Sequence, residues 1–385
     1  MAVTADKEYR LDPTTLRLQD SRGLLRELPG HLVRAGFNER SACQLLGAPS
    51  PEHLIANTTR YAFFADFPHI GTPPSAADVL TALFVLNRPL ATAVVDKALD
   101  PALRDLLQEA RLLNRSEGVC RGLVSLTPYR SRYFLSDPLF SNPSPQTLHM
   151  HAASDLAMPP HASTLIALDT VGTVNDSFLD VGCGSGFLAL NAVAGHGHRA
   201  GIDLNPRSVA YASANAELNS DRVSFEQANF ATHTVPSSER FGALLFNAPT
   251  RPCAGPEDGE FGQATAEQVL RTTAEAAPRL LRPDGMAHVL TLIEVPRRFG
   301  SVTDTIHHWL ADTPATEVTV TELDDPRFVI TEAQLRNGRC HGQSILAAGA
   351  AQGERLVSAL RARDVVSVAL VRVALRSGVD GGWTT

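Results

Sequence analysis

The sequence predicts an α/β chain: a doubly wound parallel sheet preceded by a mostly helical region. Three observations predict it. Phe178 to Leu190, FLDVGCGSGFLAL, reads as strand, glycine turn and helix. Ala200 to Asn205, AGIDLN, reads as a second strand running into an acid. From Ser163 to Leu375, strand-length apolar runs alternate with segments of helical spacing, which implies parallel strands joined by crossover helices.

The glycine stretch has specific physics. Phe178-Leu179-Asp180-Val181 is long enough for a buried strand, and Gly182-Cys183-Gly184-Ser185-Gly186 interrupts it. Glycine permits positive φ and lets a ligand approach bare backbone. The free N–H groups at the start of the next helix then face that ligand. Some such turns only pack a helix closely on a strand. The spacing is D-x-G-x-G-x-G rather than GxGxxG, because Phe187 stands where the third glycine would be. Asp203 follows about 20 residues on, where a Rossmann-like unit places the carboxylate for ribose hydroxyls. Pro206 opens the next helix, where its missing N–H costs nothing. A third strand, Ala243 to Thr250, ends in Asn247-Ala248-Pro249-Thr250.

These three signals, in this order, resemble the class I S-adenosylmethionine (SAM) dependent methyltransferases. Within them the chain is similar to the N/D-P-P-Y/F group, which includes release-factor glutamine methyltransferases, adenine N6-methyltransferases and small-domain rRNA guanine methyltransferases. The resemblance covers roughly Ser163 to Leu375. It implies a Rossmann-like, seven-stranded core with the last strand, Val365 to Leu375, inserted antiparallel, and SAM as cofactor. It implies that Asp180 and the backbone of Gly182, Cys183, Gly184 and Gly186 hold the methionine part of SAM. Asp203 would accept the ribose hydroxyls and Leu204 would cover one face of the adenine. Asn229 and Phe230 stand where the family has an acid-containing adenine contact, and the Asn229 amide oxygen can still accept a hydrogen.

The resemblance also implies how the acceptor is held. The Asn247 side chain and the Ala248 carbonyl would each accept an N–H of the target nitrogen, aiming its lone pair at the methyl group. Ala248 replaces the family's first proline, and Pro249 biases Ala248 to an extended backbone. Thr250 replaces the aromatic ring that stacks on a planar amide or base. Threonine cannot stack, which counts against adenine or guanine as the target. An acidic loop follows, and Glu257 and Glu260 in it would suit a cationic acceptor such as an amine or guanidinium. A solvated charged loop is an equal reading of them.

Composition narrows the classes. The chain has 385 residues and a net charge of −7. Residues 1–150 carry 16 Lys+Arg and 15 Asp+Glu, a balance of +1, which leaves −8 for the rest. Neither half is the basic surface expected of a nucleic-acid binder. There is no apolar run of transmembrane length and no signal-peptide pattern at the first residues. Five scattered cysteines without a CxxC pair predict reduced thiols, a cytoplasmic setting and no metal site.

The domain expectation is a helical domain over 1–145, a linker or pocket loop over 146–162 and the SAM-binding domain over 163–385. Helices are expected at Leu16–Leu28, Glu39–Leu46, Pro51–Ala62, Ala76–Leu86 and Pro101–Leu113, with Asn38, Ser75 and Asp100 as N-caps. Gly118–Val124 and Arg132–Leu135 flank a proline-containing turn and read as a hairpin. Helices followed by a hairpin make this region winged-helix-like. The balanced charge favours a lid or dimerisation role, in a homodimer, over DNA reading. The arrangement resembles an N-terminal helical domain that precedes small-domain methyltransferases in actinobacteria. Ser141–Pro160 is a linker by its prolines and polar residues. His149 and His151 within it are candidates to line a substrate pocket, against a plain exposed loop.

In the core, helices are expected at Thr164–Asp169, Arg207–Asn219, Ala264–Leu281, Val302–Asp312 and Gly353–Ala362. Further strands are expected at Arg222–Glu226, Met286–Val295 and Thr316–Thr321. The functional expectation is an N-methyltransferase acting on a small molecule, a free amino acid such as arginine at its guanidine, or a peptide, in specialised metabolism such as antibiotic biosynthesis. An RNA or DNA base methyltransferase and a non-catalytic SAM-binding or DNA-binding regulator are the competing readings.

Overall fold

A computed structural model of the chain describes residues 19–64, 73–144, 147–151, 155–171, 177–192, 197–248, 265–325, 328, 333, 336 and 349–377. The chain divides into two compact units. One holds Met1–Leu165, Cys183–Leu190 and Asn205–Phe225; the other holds Ile166–Gly182, Asn191–Leu204 and Glu226–Thr385.

The first unit opens with α1 (Gln19–Arg34), α2 (Glu39–Leu46), α3 (Pro51–Ala56) and α4 (Thr58–Phe64). Asn38 caps α2 by accepting the N–H groups of Arg40 and Ser41, as its position predicts. The helix expected over Pro51–Ala62 instead breaks at Asn57. Its side chain donates to the His53 carbonyl at 2.9 Å and competes with the next turn of helix. Then come α5 (Ala76–Leu80, running into a π turn over Thr81–Val85), β1 (Leu90–Ala91), α6 (Thr92–Ala98), α7 (Pro101–Glu109), β2 (Leu113–Ser116) and β3 (Val119–Gly122). Ser75 and Asp100 cap α5 and α7 as expected. The three strands pair in the order β1-β3-β2, with α6 and α7 between β1 and β2 in the chain.

Two expectations for this unit are corrected. Val119–Gly122 pairs with β2, so the hairpin expected next moves to β4 (Ser125–Tyr129) and β5 (Arg132–Ser136). Its two-residue turn is Arg130-Ser131, with φ of 49° and 60°, the doubly positive pattern of a tight hairpin. Pro128 lies inside β4, opposite Tyr133, rather than at the turn. The stretch Ser141–Pro160 also carries paired strands, β6 (Phe140–Ser144) and β7 (Thr147–Met150). Tertiary bonds hold β6: the buried Asn142 donates to the Ala62 carbonyl at 2.6 Å and accepts from Arg88 at 3.3 Å.

Helix α8 (Ala162–Val171) closes this stretch. The first unit also contains α9 (Phe187–Asn191), as far as Leu190, and α10 (Pro206–Leu218). Tyr211, Ala214 and Leu218 of α10 join one apolar core with Leu25, Leu28, Phe37, Leu83, Leu107 and Leu126. A polar stripe on α10, at four-residue spacing, runs beside that core along β5. Arg207 and Tyr211 donate to the buried Asp137 carboxylate, at 2.6 Å from Nε and 3.1 Å from the phenol. Asn215 pairs both ways with the Leu135 backbone, at 2.7 and 2.8 Å. Asn219 does the same with Tyr133, at 3.0 and 2.8 Å.

The central sheet is built on β8 (Phe178–Val181), β9 (Arg199–Asp203), β10 (Ser224–Gln227), β11 (Phe241–Asn247), β12 (Leu281–Pro296), β13 (Ala315–Glu322) and β14 (Val365–Ser377). Its order is β10-β9-β8-β11-β12-β14-β13. The pairs β8–β9, β8–β11 and β11–β12 are parallel, and β14 is antiparallel to both its neighbours, as expected for the last strand. Residues Pro283-Asp284-Gly285 fall inside β12 as a bulge: Phe241 faces Leu281 and Ala243 faces Met286. Helices α11 (Ala266–Leu280), α12 (Val302–Leu310) and α13 (Gly349–Ala362) complete the chain order. The core of the second unit is Leu179, Val181, Ile202 and Leu244 of the sheet with Val269, Leu270 and Leu280 of α11 and Ile306 and Leu310 of α12. No helix among the described residues is long and apolar enough to cross a membrane.

Candidate active site

The sheet order reverses between β8 and β11, since β9 and β10 extend one way from β8 and β12 onward the other. In open α/β sheets, ligands bind at the carboxyl ends of the strands beside such a reversal. Register fixes what lies there. Asp180 stands beside Leu245 and Gly201, and Val181 beside Phe246 and Ile202. Leu179, Val181, Ile202 and Leu244 point into the apolar core. Side chains alternate along a strand, so Asp180, Asp203 and Asn247 share the opposite face. The second unit thus gathers two carboxylates and an amide at the carboxyl ends of three adjacent strands. Asp180 is fully buried, and Asp203 and Asn247 are half-buried.

The turn after β8 has the conformation its glycines predict. Gly182, Gly184 and Gly186 have φ of 64°, 54° and 78°, all in the left-handed region. Two of them do different work. A Cβ on Gly186 would lie 2.8 Å from the Phe225 ring and 3.0 Å from the Ala212 methyl, so this glycine serves packing within the first unit. A Cβ on Gly184 would meet nothing within 4 Å. Its backbone stands in open space, as a cradle for a ligand requires. Cys183 is buried beneath it.

The ends of β9 and β10 are tied together in the second unit. The Ala228 N–H donates to the Asp203 carbonyl at 3.1 Å, and Gln227 Nε2 donates to the Leu204 carbonyl at 3.2 Å. Leu204 is 48% exposed, a large apolar side chain in water beside Asp203. Asn229 Oδ1 accepts the Ala231 N–H at 3.0 Å, which leaves the oxygen's second lone pair for another donor. Phe230 stands edge-on to Phe246, centroids 5.6 Å apart. Ala248 is buried, and its N–H donates to the Leu290 carbonyl at 3.0 Å, extending the β11–β12 ladder past Asn247.

Two of the remaining candidates belong to the first unit and four lie outside the described residues. His149 is exposed on β7, opposite Ser141, and the His151 N–H donates to the Leu139 carbonyl at 2.9 Å, all in the first unit. Pro249, Thr250, Glu257 and Glu260 lie outside the described residues. No cluster of His, Cys, Asp or Glu able to hold a metal occurs among the described residues.

Two residues were missed by sequence reasoning. His288 on β12 faces Leu245, which in turn faces Asp180, so the three share one row and one face of the sheet. Burial, with the nearby Arg372 charge, holds its imidazole below the ordinary 6.5. Asn215 is the other. Besides pairing with Leu135, it donates to the Ser185 carbonyl at 2.8 Å, inside the glycine turn. Its signal was the four-residue repeat of polar residues on an alanine-rich helix.

Residues 173–311 match a family model described as a methyltransferase domain. The chain is 26% identical over 141 residues to a putative protein N5-glutamine methyltransferase of Methanocaldococcus jannaschii, covering 34% of this chain and 70% of the relative. It is 40% identical over 75 residues to the ribosomal protein L11 methyltransferase of Dechloromonas aromatica, covering 19% of this chain and 24% of the relative. Among solved structures, phosphoethanolamine N-methyltransferase 2 of Haemonchus contortus with SAM aligns at 17% identity and a TM-score of 0.35, covering 56% of this chain and 52% of that one. The residues of the second unit fit SAM: the buried Asp180 before a glycine at positive φ, a carboxylate at the end of β9 and an exposed apolar side chain next to it. Residues 173–311 are a methyltransferase domain, and SAM is its cofactor.

Proposed function

We propose that the enzyme methylates a side-chain nitrogen of an amino acid, within a peptide or protein. The observation that carries this is Asn247, which shares one sheet face with Asp180 and Asp203 at the carboxyl end of β11. SAM supplies a methyl group on a sulfonium that is already a strong electrophile. The chain's task is to hold the acceptor in line and close, which can contribute several kcal/mol, on the order of 7 or more in well-oriented systems. Asp180 and the glycine turn hold the methionine end, Asp203 takes the ribose hydroxyls, and Leu204 covers the adenine. The Asn247 amide oxygen and the Ala248 carbonyl accept N–H bonds from the neutral nitrogen and leave its lone pair free. The proton released as the nitrogen gains the methyl passes to water.

Two named relatives, a putative glutamine N5-methyltransferase and a ribosomal protein methyltransferase, support a protein nitrogen as acceptor. Thr250, in place of a stacking ring, supports a target other than a nucleobase. The charges beside the β1–β3 strands also support a target other than a nucleic acid. The exposed positions of α7 include Asp105 and Glu109, and Arg104 and Arg115 are both engaged by Asp96, at 2.8 and 2.7 Å. A free amino acid, such as arginine at its guanidine, is the second reading, favoured by Glu257 and Glu260 in the acidic loop.

A labelled-SAM screen tests the proposal by offering proteins and peptides beside free arginine, glutamine and lysine, and total RNA. Label in a protein or peptide side chain is expected. Label confined to free amino acids would establish the second reading, and label confined to RNA would overturn both.

A further inference from the structure

We propose that Asn215 is a positioning residue for SAM: it holds the glycine turn in its binding shape and ties that turn to strand β5. The proposal rests on the SAM reading above and assigns a residue that reading does not use.

The three bonds of Asn215 account for its buried amide. Oδ1 accepts the Leu135 N–H at 2.7 Å, and Nδ2 donates to the Leu135 carbonyl at 2.8 Å and to the Ser185 carbonyl at 2.8 Å. The side chain is fully buried. All three partners are backbone groups of the first unit, and none has freedom to adjust without moving the chain.

The geometry behind this is a register match between a helix and a strand. Four residues of helix advance about 6 Å, and two residues of strand about 6.6 Å. Positions 211, 215 and 219 therefore keep step with positions 137, 135 and 133, the first of them one residue past the end of β5, and Arg207, a turn earlier, reaches to Asp137 as well. Arg207 and Tyr211 meet Asp137, Asn215 meets Leu135, and Asn219 meets Tyr133. The two asparagines act on β5 as a neighbouring strand would, each offering a donor and an acceptor to one residue's N–H and C=O.

Of the two asparagines, Asn215 also bonds to the glycine turn. Its bond to Ser185 fixes the peptide plane between Ser185 and Gly186, in a turn whose three glycines all lie at positive φ. Glycine has many alternative conformations, so a turn this rich in it needs external bonds to hold one. The Gly186 N–H to Cys183 carbonyl bond, at 2.8 Å, is internal to the turn, and the Asn215 bond ties the turn to a rigid helix. With the turn held, its N–H groups keep the directions that SAM requires. Without that bond, binding must first order the turn, and the ordering cost appears as lost affinity.

Asn219 provides the control. It makes the same pair of bonds to β5, and its extra donor bond goes to the Asn215 carbonyl in its own helix, at 2.8 Å. The test measures S-adenosylhomocysteine binding by titration calorimetry, and unfolding midpoints without ligand, for the full chain and its Asn215→Ala and Asn219→Ala variants. Both variants are expected to unfold at lower temperature. Asn215→Ala is expected to weaken binding about tenfold, as loss of one buried hydrogen bond implies, and Asn219→Ala less than twofold. In turnover, Asn215→Ala raises the KM for SAM and largely keeps kcat. If Asn215→Ala does not fold, Asn215→Asp keeps the bond from the Leu135 N–H and loses both donors, and the same comparison is made with it. Equal affinities in the folded Asn215 and Asn219 variants would overturn the proposal. Absence of binding in the unmutated chain would instead overturn the SAM reading.

Discussion

Helices α10 and α11 solve the same packing problem in opposite ways. Helix α11 buries Val269, Leu270, Ala274, Ala277 and Leu280 against the sheet of the second unit, and its buried Thr273 hydroxyl bonds back to its own Val269 carbonyl at 2.7 Å. Its side-chain bonds to other elements come from outside that buried face, from Arg271 to the Trp309 carbonyl and Asp312 and from Arg279 to the Ala231 carbonyl, so the buried face is seated by apolar contact, which is non-directional. Helix α10 adds a stripe of Arg207, Tyr211, Asn215 and Asn219 whose bonds fit β5 in one register. A shift of one residue would break every bond and leave buried polar groups without partners, at about 1–3 kcal/mol each. The difference shows where position matters as well as stability. Helix α10 begins directly after Asp203 and Leu204 and also holds the glycine turn through Asn215. Helix α11 holds no residue of the proposed SAM set.

The largest test of this contrast is Asp137→Asn. Asp137 is fully buried, bonded by Arg207 and Tyr211 and by the Ala157 N–H at 2.8 Å. Removing its charge leaves the largely buried Arg207 with only the more distant Asp155 charge and should cost about 3–5 kcal/mol in urea unfolding. A loss below about 1 kcal/mol would mean that the stripe is ornament on an apolar interface.

Next comes Leu270→Ala on α11, which should cost about 2–4 kcal/mol through the cavity it leaves, with S-adenosylhomocysteine affinity unchanged in calorimetry. Leu270→Met should cost less than about 1.5 kcal/mol, because a non-directional contact tolerates a change of shape. A large loss of affinity in either variant would erase the distinction between the helices.

The smallest effect is a pH dependence in the second unit. Burial holds His288 below 6.5, so between its folded value and 6.5 the unfolded chain binds more protons at this site. Its contribution to stability is therefore full above 6.5 and falls as the pH drops below it. The unfolding midpoint should fall between pH 7.5 and pH 5.5, and His288→Gln should fall less. Equal falls would show that the imidazole is not buried as described.

Most of the sheet and of the residues at the carboxyl ends of its strands were legible in the sequence because their signals are local. A short apolar run, three glycines and an acid at the next strand's end each state their own requirement. The glycines take positive φ as expected, and Asn38, Ser75 and Asp100 cap their helices as expected. What could not be read depends on partners distant in sequence. Strand β6 has the composition of a linker and is a strand because Asn142 is bonded to Ala62 and Arg88. The β4–β5 turn uses Arg130 and Ser131, neither a usual residue at positive φ, so nothing marked it, while Pro128 pointed to the wrong place. The Arg207–Asn219 repeat was visible as a pattern, yet its meaning needed the register of β5.

The most direct test of the central claim is Asn247→Ala, assayed for methyl transfer to the acceptor found in the screen and, separately, for S-adenosylhomocysteine binding by calorimetry. The account predicts a loss of turnover of at least about a hundredfold, in the range of removing one preorganised polar group, with binding within about threefold of the unmutated chain. Turnover retained with binding intact would contradict the assignment of Asn247 to the acceptor nitrogen.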